Sequence, residues 1–265
     1  MTSGRLITLL TDFGSRDTFV GVMKGVIAKI APDARVIDLC HEVSPQNVRE
    51  AAWLLGVSFG YFPEGTVHVA VVDPGVGGER RGIAVRAAGH VFVLPDNGLI
   101  SCVLARHDPE QVVSLENEKY FLHPVSATFN GRDIFAPVAA HVAKGVPLAE
   151  LGPEIGDPCL FELRRPAIAT YPSGTVLEGE IVHVDHFGNL VTNFDREYLP
   201  DVPNLRIRVA RRVINGLTPT YSEAITGELI ALIGSFGQLE ISIVNGNAAH
   251  KLRAKVGDEV TIEAG

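Results

Sequence analysis

The chain has 265 residues, 46% hydrophobic and 20% charged, enough for one large or two modest domains with buried cores. A formal net charge of −8, spread without long runs of one sign, argues against nucleic acid or an anionic membrane as a partner and leaves cationic small molecules open. Three scattered cysteines (Cys40, Cys102, Cys159) fit no disulfide or metal spacing and read as a reducing cytoplasm, and neither a signal-peptide pattern nor a run of transmembrane length is present.

Leu6–Leu10 reads as a buried strand ending in Thr11-Asp12-Phe13-Gly14. Asp17 and Thr18 then offer N-caps for a helix to about Ile30, with Phe19, Met23, Val26, Ile27 and Ile30 on one face. Arg35–Leu39 is a second strand, Ser44-Pro45 starts a helix running to about Phe59, and Thr66–Val72 is a third strand. Strand–helix–strand–helix–strand order demands a mostly parallel sheet. A hairpin, Ile83–Ala87 and Val91–Leu94, turns at Ala88-Gly89. Asp96-Asn97-Gly98 begins a short helix, Gln111–Leu115 is a strand, and Gly131–Ala143 is a helix.

Residues 152–173, with Pro153, Pro158, Pro166 and Pro172 and no sustained period, read as a linker. Beyond it almost everything is strand-like: Thr175–Val184, Asn189–Asn193, Leu205–Val213, Leu229–Ile233, Gln238–Ile243 and Glu259–Glu263, with no amphipathic helix. The expected architecture is an α/β N-terminal domain with a mostly parallel sheet, residues 1–165, followed by a small all-β, barrel-like C-terminal domain, residues 174–265.

The stretch with most chemistry is Val69–Gly82, a strand that ends on Asp73 and enters a turn of glycines and one proline, with Arg80 seven residues on. Ligands gather at strand C-termini in α/β sheets, and this loop is flexible enough to fold the base onto the acid; a solvated surface pair is the plainer alternative. The glycines match no phosphate-loop pattern and lead into a strand, so phosphate binding is not expected. Thr11-Asp12-Phe13-Gly14 holds the letters DFG without the companion kinase motifs, leaving Asp12 as a strand-end carboxylate suited to ribose hydroxyls. His183, Asp185 and His186 lack a third partner in ligand spacing, and no metal is expected. Asp185-His186-Phe187-Gly188-Asn189 reads instead as a turn presenting an acid, an aromatic face and an amide, groups for an amine and a purine. Gly234–Gly237 and Asn245–Ala249 are two more turns, each compatible with plain hairpin chemistry.

In order, the motifs LLTDFGSRD, DLCHEVSP, FPEGTVHVAVVDPGVGGERR, PDNGLIS, ATFNGRDIFAPVAAH, VDHFGNLVTN and SFGQLEISIVNGNAA make the chain similar to the S-adenosylmethionine (SAM) hydroxide adenosyltransferases, relatives of the SAM-dependent fluorinase and chlorinase. The resemblance runs from about residue 5 to the C-terminus. It implies the same two-part fold, a homotrimer with SAM held between neighbouring subunits, and hydrolysis of SAM to adenosine and L-methionine, with no cofactor. It assigns Asp12 to the ribose, Asp17, Asp185 and Ser235 to the methionine end, Phe187, Asn189 and Asn245 to the adenine, and Asn97 to a ligand contact. Asp73 and Arg80 fall on the first two places of an Asp–Arg–His set that activates water. Asn130 stands where histidine is usual.

That departure leaves two readings of Asn130. If histidine does proton work in the family, this chain is slow or uses Asp73 as base; if histidine orients water, Asn130 substitutes, since it hydrogen-bonds but does not titrate. Two alternative functions follow: a SAM- or adenosine-binding protein with little turnover, and a SAM-dependent halogenase. The fluorinase has tyrosine at the place of Asp73, serine at that of Gly131, and a long insertion where this chain passes from Val85 to His90 through a short turn. A carboxylate beside the nucleophile also repels halide in a dry pocket.

Overall fold

The structure, a computed structural model, describes residues 6–172, 174–200, 202 and 205–264, which divide into two compact units at Leu163/Arg164. Unit 1 contains β1 (Leu6–Thr11), α1 (Phe19–Ile30), β2 (Arg35–Cys40), α2 (Val48–Ser58), β3 (Val67–Val71), β4 (Gly82–Ala87), β5 (His90–Pro95), α3 (Ser101–Leu104), β6 (Pro109–Ser114) and α4 (Ala136–Ala143). Its sheet runs β2-β1-β3-β5-β4-β6. The β2–β1, β1–β3 and β3–β5 pairs are parallel, while the hairpin strand β4 pairs antiparallel with β5 and β6.

Alternation along the strands splits the core into two layers, as expected for a sheet covered on both faces. Ile7, Leu9, Val67, Val69 and Val71 pack with Met23 and Ile27 of α1 and Val138 and Ala139 of α4. Leu10, Ala70, Val72, Phe92 and Leu94 pack with Ala51 and Leu55 of α2 and Val103 of α3.

Helix starts differ from the expectation in instructive ways. Thr18 occupies the N-cap of α1 without a side-chain hydrogen bond, and Asp17 is exposed just ahead of it. Helix α2 begins after Asn47 rather than at Ser44-Pro45. The Asn47 side chain accepts from the Glu50 amide at 3.2 Å while the Glu50 carboxylate accepts from Asn47 Nδ2 at 3.1 Å, a reciprocal cap. The helix expected over Gly131–Ala143 is one π-helical turn, Gly131–Phe135, continued by α4. Pro137 has no N–H to give, and the Asp133 carbonyl one turn back accepts instead from the Leu122 amide at 2.8 Å.

Unit 2 contains β7 (Ala167–Tyr171), β8 (Gly174–Val184), β9 (Leu190–Asp195), β10 (Leu205–Val209), β11 (Arg212–Asn215), β12 (Leu229–Ile233), β13 (Gln238–Ile243), α5 (Ala248–Leu252) and β14 (Glu259–Ala264). The strands follow the order β11-β10-β14-β8-β9-β13-β12, all antiparallel, with β7 also on β8. This nearly closed sheet wraps Leu177, Ile181, Phe194, Ile207, Leu239, Ile241 and Ile262. The strand expected over Leu205–Val213 is a hairpin turning at Ala210, whose φ is 50°. Strand β7 lies within the proline-bearing stretch, flanked by Pro166 and Pro172 rather than interrupted by them. Among the described residues no helix is long and apolar enough to cross a membrane, and all three cysteines are free.

Candidate active site

Asp12, Asp73 and Asn97 follow the C-terminal ends of β1, β3 and β5, three adjacent parallel strands. Thr11 pairs with Val71 and Val69 with Val93, so these three residues share one edge of the sheet. Asn97 Nδ2 donates to the Val72 carbonyl at 2.9 Å, tying the end of β5 to that of β3. Asp12 Oδ2 accepts from the Gln46 amide at 2.8 Å.

Two tight turns, closed by Val76 N–H to the Asp73 carbonyl at 3.2 Å and Gly78 N–H to the Gly75 carbonyl at 3.1 Å, carry Arg80 back onto Asp73. Arg80 Nε lies 3.0 Å from both carboxylate oxygens, and an Nη2 hydrogen bond to Oδ2 completes a forked ion pair. The same Nη2 donates to Asn130 Oδ1 at 2.6 Å, while Asn130 Nδ2 donates to the Ser126 carbonyl at 3.0 Å. These partners fix the amide orientation of Asn130: its oxygen faces the guanidinium. The Asp73 and Arg80 side chains are only 4% and 14% exposed, which strengthens the pair and penalises removal of either member.

Asn130 opens the π turn, an irregularity that is frequent at functional sites. A fully buried carboxylate, Asp133, braces the preceding loop by accepting from the Ser126 amide at 2.9 Å and from Arg132 at 2.6 and 2.8 Å. Phe13, Phe19 and Phe129 cluster with centroids 5.2 to 5.8 Å apart. Gly131 sits against this group, where an added Cβ would meet Met23 Sδ and the Phe13 and Phe129 rings at 3.3 Å.

Asp17 is exposed just ahead of α1 in unit 1, and the remaining expected residues lie in unit 2. Asp185 Oδ1 accepts from the amides of Phe187 and Asn189 at 2.9 and 2.8 Å, and its Oδ2 accepts from Asn189 Nδ2 at 2.9 Å. The turn thus buries Asn189 and projects Phe187, whose surface is 71% exposed. Gly188 holds φ +85°, and a Cβ there would stand 2.1 Å from Asn247 Cγ. The Ala249 amide donates to the Gly188 carbonyl at 2.9 Å, joining this turn to the Asn245–Ala249 segment. Asn245 takes a left-handed backbone and donates to Thr226 Oγ1 at 3.1 Å, and Ser235 is exposed in the β12–β13 turn.

A polar cluster that sequence reasoning missed stands beside Asp185. The Tyr221 hydroxyl bonds Glu240 and lies 3.5 Å from both Ser242 Oγ and Asn189 Nδ2. Burial, with the hydrogen bond to Glu240 second, pushes its pKa up to about 12. Nothing in the spacing of Tyr221 and Glu240 signals this contact, because a short helical turn before β12 brings Tyr221 over β13. Ser126 and Asp133 were also missed, although both flank Asn130 closely in sequence. Among the described residues no group of three or more His, Cys, Asp or Glu is arranged to hold a metal ion.

A model of the SAM hydroxide adenosyltransferase N-terminal domain matches residues 7–152, and one of the C-terminal domain matches residues 179–261. The chain belongs to the SAM hydroxide adenosyltransferase family. A family relative from Salinispora arenicola, named (R)-S-adenosyl-L-methionine hydrolase, is 40% identical over 266 residues, covering 100% of both chains. A fluorinase from an Actinoplanes species is 29% identical, with 97% of each chain covered. The crystal structure of an uncharacterized conserved protein from Thermotoga maritima superposes with a TM-score of 0.89 at 38% identity, covering 97% of this chain and 100% of that one. Within the adenosyltransferase frame, the buried Asp73–Arg80–Asn130 network occupies the sheet edge where such α/β domains hold ligands.

Proposed function

We propose that this protein hydrolyses S-adenosyl-L-methionine to adenosine and L-methionine. The observation that carries the reading is the nearly buried Arg80 guanidinium bridging Asp73 and Asn130 at the C-terminal edge of three parallel strands. A water oxygen attacks the ribose 5′ carbon opposite sulfur. The C5′–S bond breaks with its electron pair going to sulfur, which leaves as the neutral thioether of methionine, so the leaving group needs no proton. The water proton passes to Asp73, the acceptor that Arg80 holds in place. Asn130 acts by anchoring Arg80, a role that requires an acceptor and not a titrating group.

Charge complementarity supports the substrate. SAM brings a sulfonium and an ammonium into a set of carboxylates, with Asp17 and Asp185 at the methionine end and Asp12 on the ribose hydroxyls; on this reading Asn97, Ser235, Phe187, Asn189 and Asn245 complete the contacts to the nucleoside and amino-acid ends. The reaction takes SAM and water with no further cofactor. The Asp73 carboxylate beside the nucleophile disfavours a halogenase, and at Gly131 a serine Cβ would crowd Met23 and two aromatic rings at 3.3 Å, so that they must give by a few tenths of an ångström. A homotrimer, in which neighbouring subunits supply the two residue sets, is the assembly this reading entails, and sedimentation equilibrium tests it.

The deciding experiment incubates the purified protein with each sulfonium epimer of SAM separately, because the Salinispora relative's name specifies the R form. The buffer is halide-free and made with ¹⁸O-labelled water, and products are read by liquid chromatography–mass spectrometry. Labelled adenosine together with methionine establishes the reaction. Bound SAM that survives unaltered supports the binding-protein alternative.

A further inference from the structure

We infer that His41 is a positioning residue for Asp12, holding the ribose-binding carboxylate through a relay that runs Asp38–His41–Thr11. This rests on the reading of Asp12 as a substrate contact. His41 follows β2, and its side chain is only 11% exposed. Its Nδ1 lies 2.8 Å from Thr11 Oγ1, the residue before Asp12. Thr11 Oγ1 in turn accepts the Phe13 amide at 3.2 Å, and the His41 carbonyl accepts the Gly14 amide at 2.7 Å. The turn carrying Asp12 is therefore gripped on both sides by one residue.

The same segment reaches the carboxylate itself. Gln46, with φ 66°, holds a backbone conformation that a residue with a side chain seldom adopts, and its amide points at Asp12 Oδ2 at 2.8 Å. Such local strain persists where surrounding structure enforces it, often at binding sites. The Asp38 carboxylate beside Nε2 favours the ring proton on that nitrogen, which leaves Nδ1 to accept from the Thr11 hydroxyl. Nε2 lies 3.0 Å from Asp38 Oδ1, an oblique electrostatic contact rather than an aligned hydrogen bond. Asp38 is itself tied to α1 by Lys24 Nζ at 2.6 Å. The motif DLCHEVSP thus acquires a purpose that no directly contacting residue in it explains.

The test is steady-state kinetics of SAM hydrolysis combined with adenosine calorimetry on the full-length protein. A group that acts by placing Asp12 supports ground and transition states alike, so His41→Ala should raise KM and weaken adenosine binding by ~10-fold with kcat within ~2-fold of wild type. Thr11→Val should do the same, and the double variant should be no worse than the poorer single one, since both break one chain of contacts. Asparagine places an amide oxygen near the Nδ1 position and glutamine near Nε2. His41→Asn should therefore restore KM while His41→Gln should not, a comparison that stands even if His41→Ala is too unstable to assay. Unchanged KM in His41→Ala, fully additive effects in the double variant, or rescue by glutamine in place of asparagine overturns this inference alone. A wild-type protein that neither hydrolyses SAM nor binds adenosine overturns it together with the proposed function.

Discussion

Replacing Asp73 with asparagine keeps shape and removes the charge at the centre of the network. Arg80 Nε still finds one oxygen, and Asn130 still takes an Nη2 hydrogen, but the second arm of the fork meets an amide that donates. Removing one member of a buried ion pair costs about 3–5 kcal/mol; with one hydrogen bond retained, about 2–3 kcal/mol is expected here. For a unit of this size that corresponds to a Tm about 5–10 °C lower, so the variant stays folded at assay temperature. Loss of the proton acceptor should lower kcat by ~10² to 10⁴. Thermal unfolding followed by circular dichroism gives the first quantity and chromatographic detection of adenosine the second. Asp73→Asn that still forms ¹⁸O-labelled adenosine within tenfold of the wild-type rate refutes Asp73 as the acceptor.

Asn130→His should leave kcat within ~10-fold of wild type, because Arg80 needs only an acceptor there; a gain of several hundredfold would show that a titrating group is missing. Arg80→Lys keeps the charge but not the fork, and should reduce kcat ~30-fold or more in the same assay, since a single ammonium does not bridge Asp73 and Asn130. The buried His68, bonded to Thr8 and His90, has its pKa lowered from 6.5 to about 3, first by burial and then by the neighbouring histidine. Below pH 6.5 the unfolded chain takes up a proton that the folded chain refuses until about pH 3. Stability from this group therefore falls through that window by ~1.4 kcal/mol per pH unit, about 2 kcal/mol at pH 5. Urea melts at pH 7.5 and pH 5 should show this slope in wild type and a shallower one in His68→Asn; identical slopes count against it. Gly188→Ala forces a Cβ onto Asn247 in a left-handed backbone and should lose about 2–4 kcal/mol in unit 2 while raising KM, read by urea melts and kinetics.

Much of unit 1 was legible because its signals are local. Runs such as Val67–Val71 alternate between two buried layers, and the loop after them supplies both halves of an ion pair within eight residues, so Asp73 and Arg80 could be coupled from spacing alone. Sequence order also separated a parallel α/β half from an antiparallel β half. What the chain does not spell out is geometry set by distant partners. The hairpin at Ala210 was invisible because no glycine marks it and Arg206, Arg208 and Arg212 continue the alternation across the turn. At the π turn the Leu122 amide, nine positions before Gly131, takes the Asp133 carbonyl that Pro137 leaves free.

By itself the amino-acid order determined which residues carry charge and amide groups at the ends of strands, and hence the kind of ligand they suit. Only the tertiary structure decided which of them touch. Asn130 meets Arg80 across fifty positions, His41 meets Thr11 across thirty, and Tyr221 meets Glu240 across nineteen. The physical reason is that a hydrogen bond acts over about 3 Å, and strand order, which brings such groups within that reach, follows from burying both faces of a sheet at once rather than from any one segment.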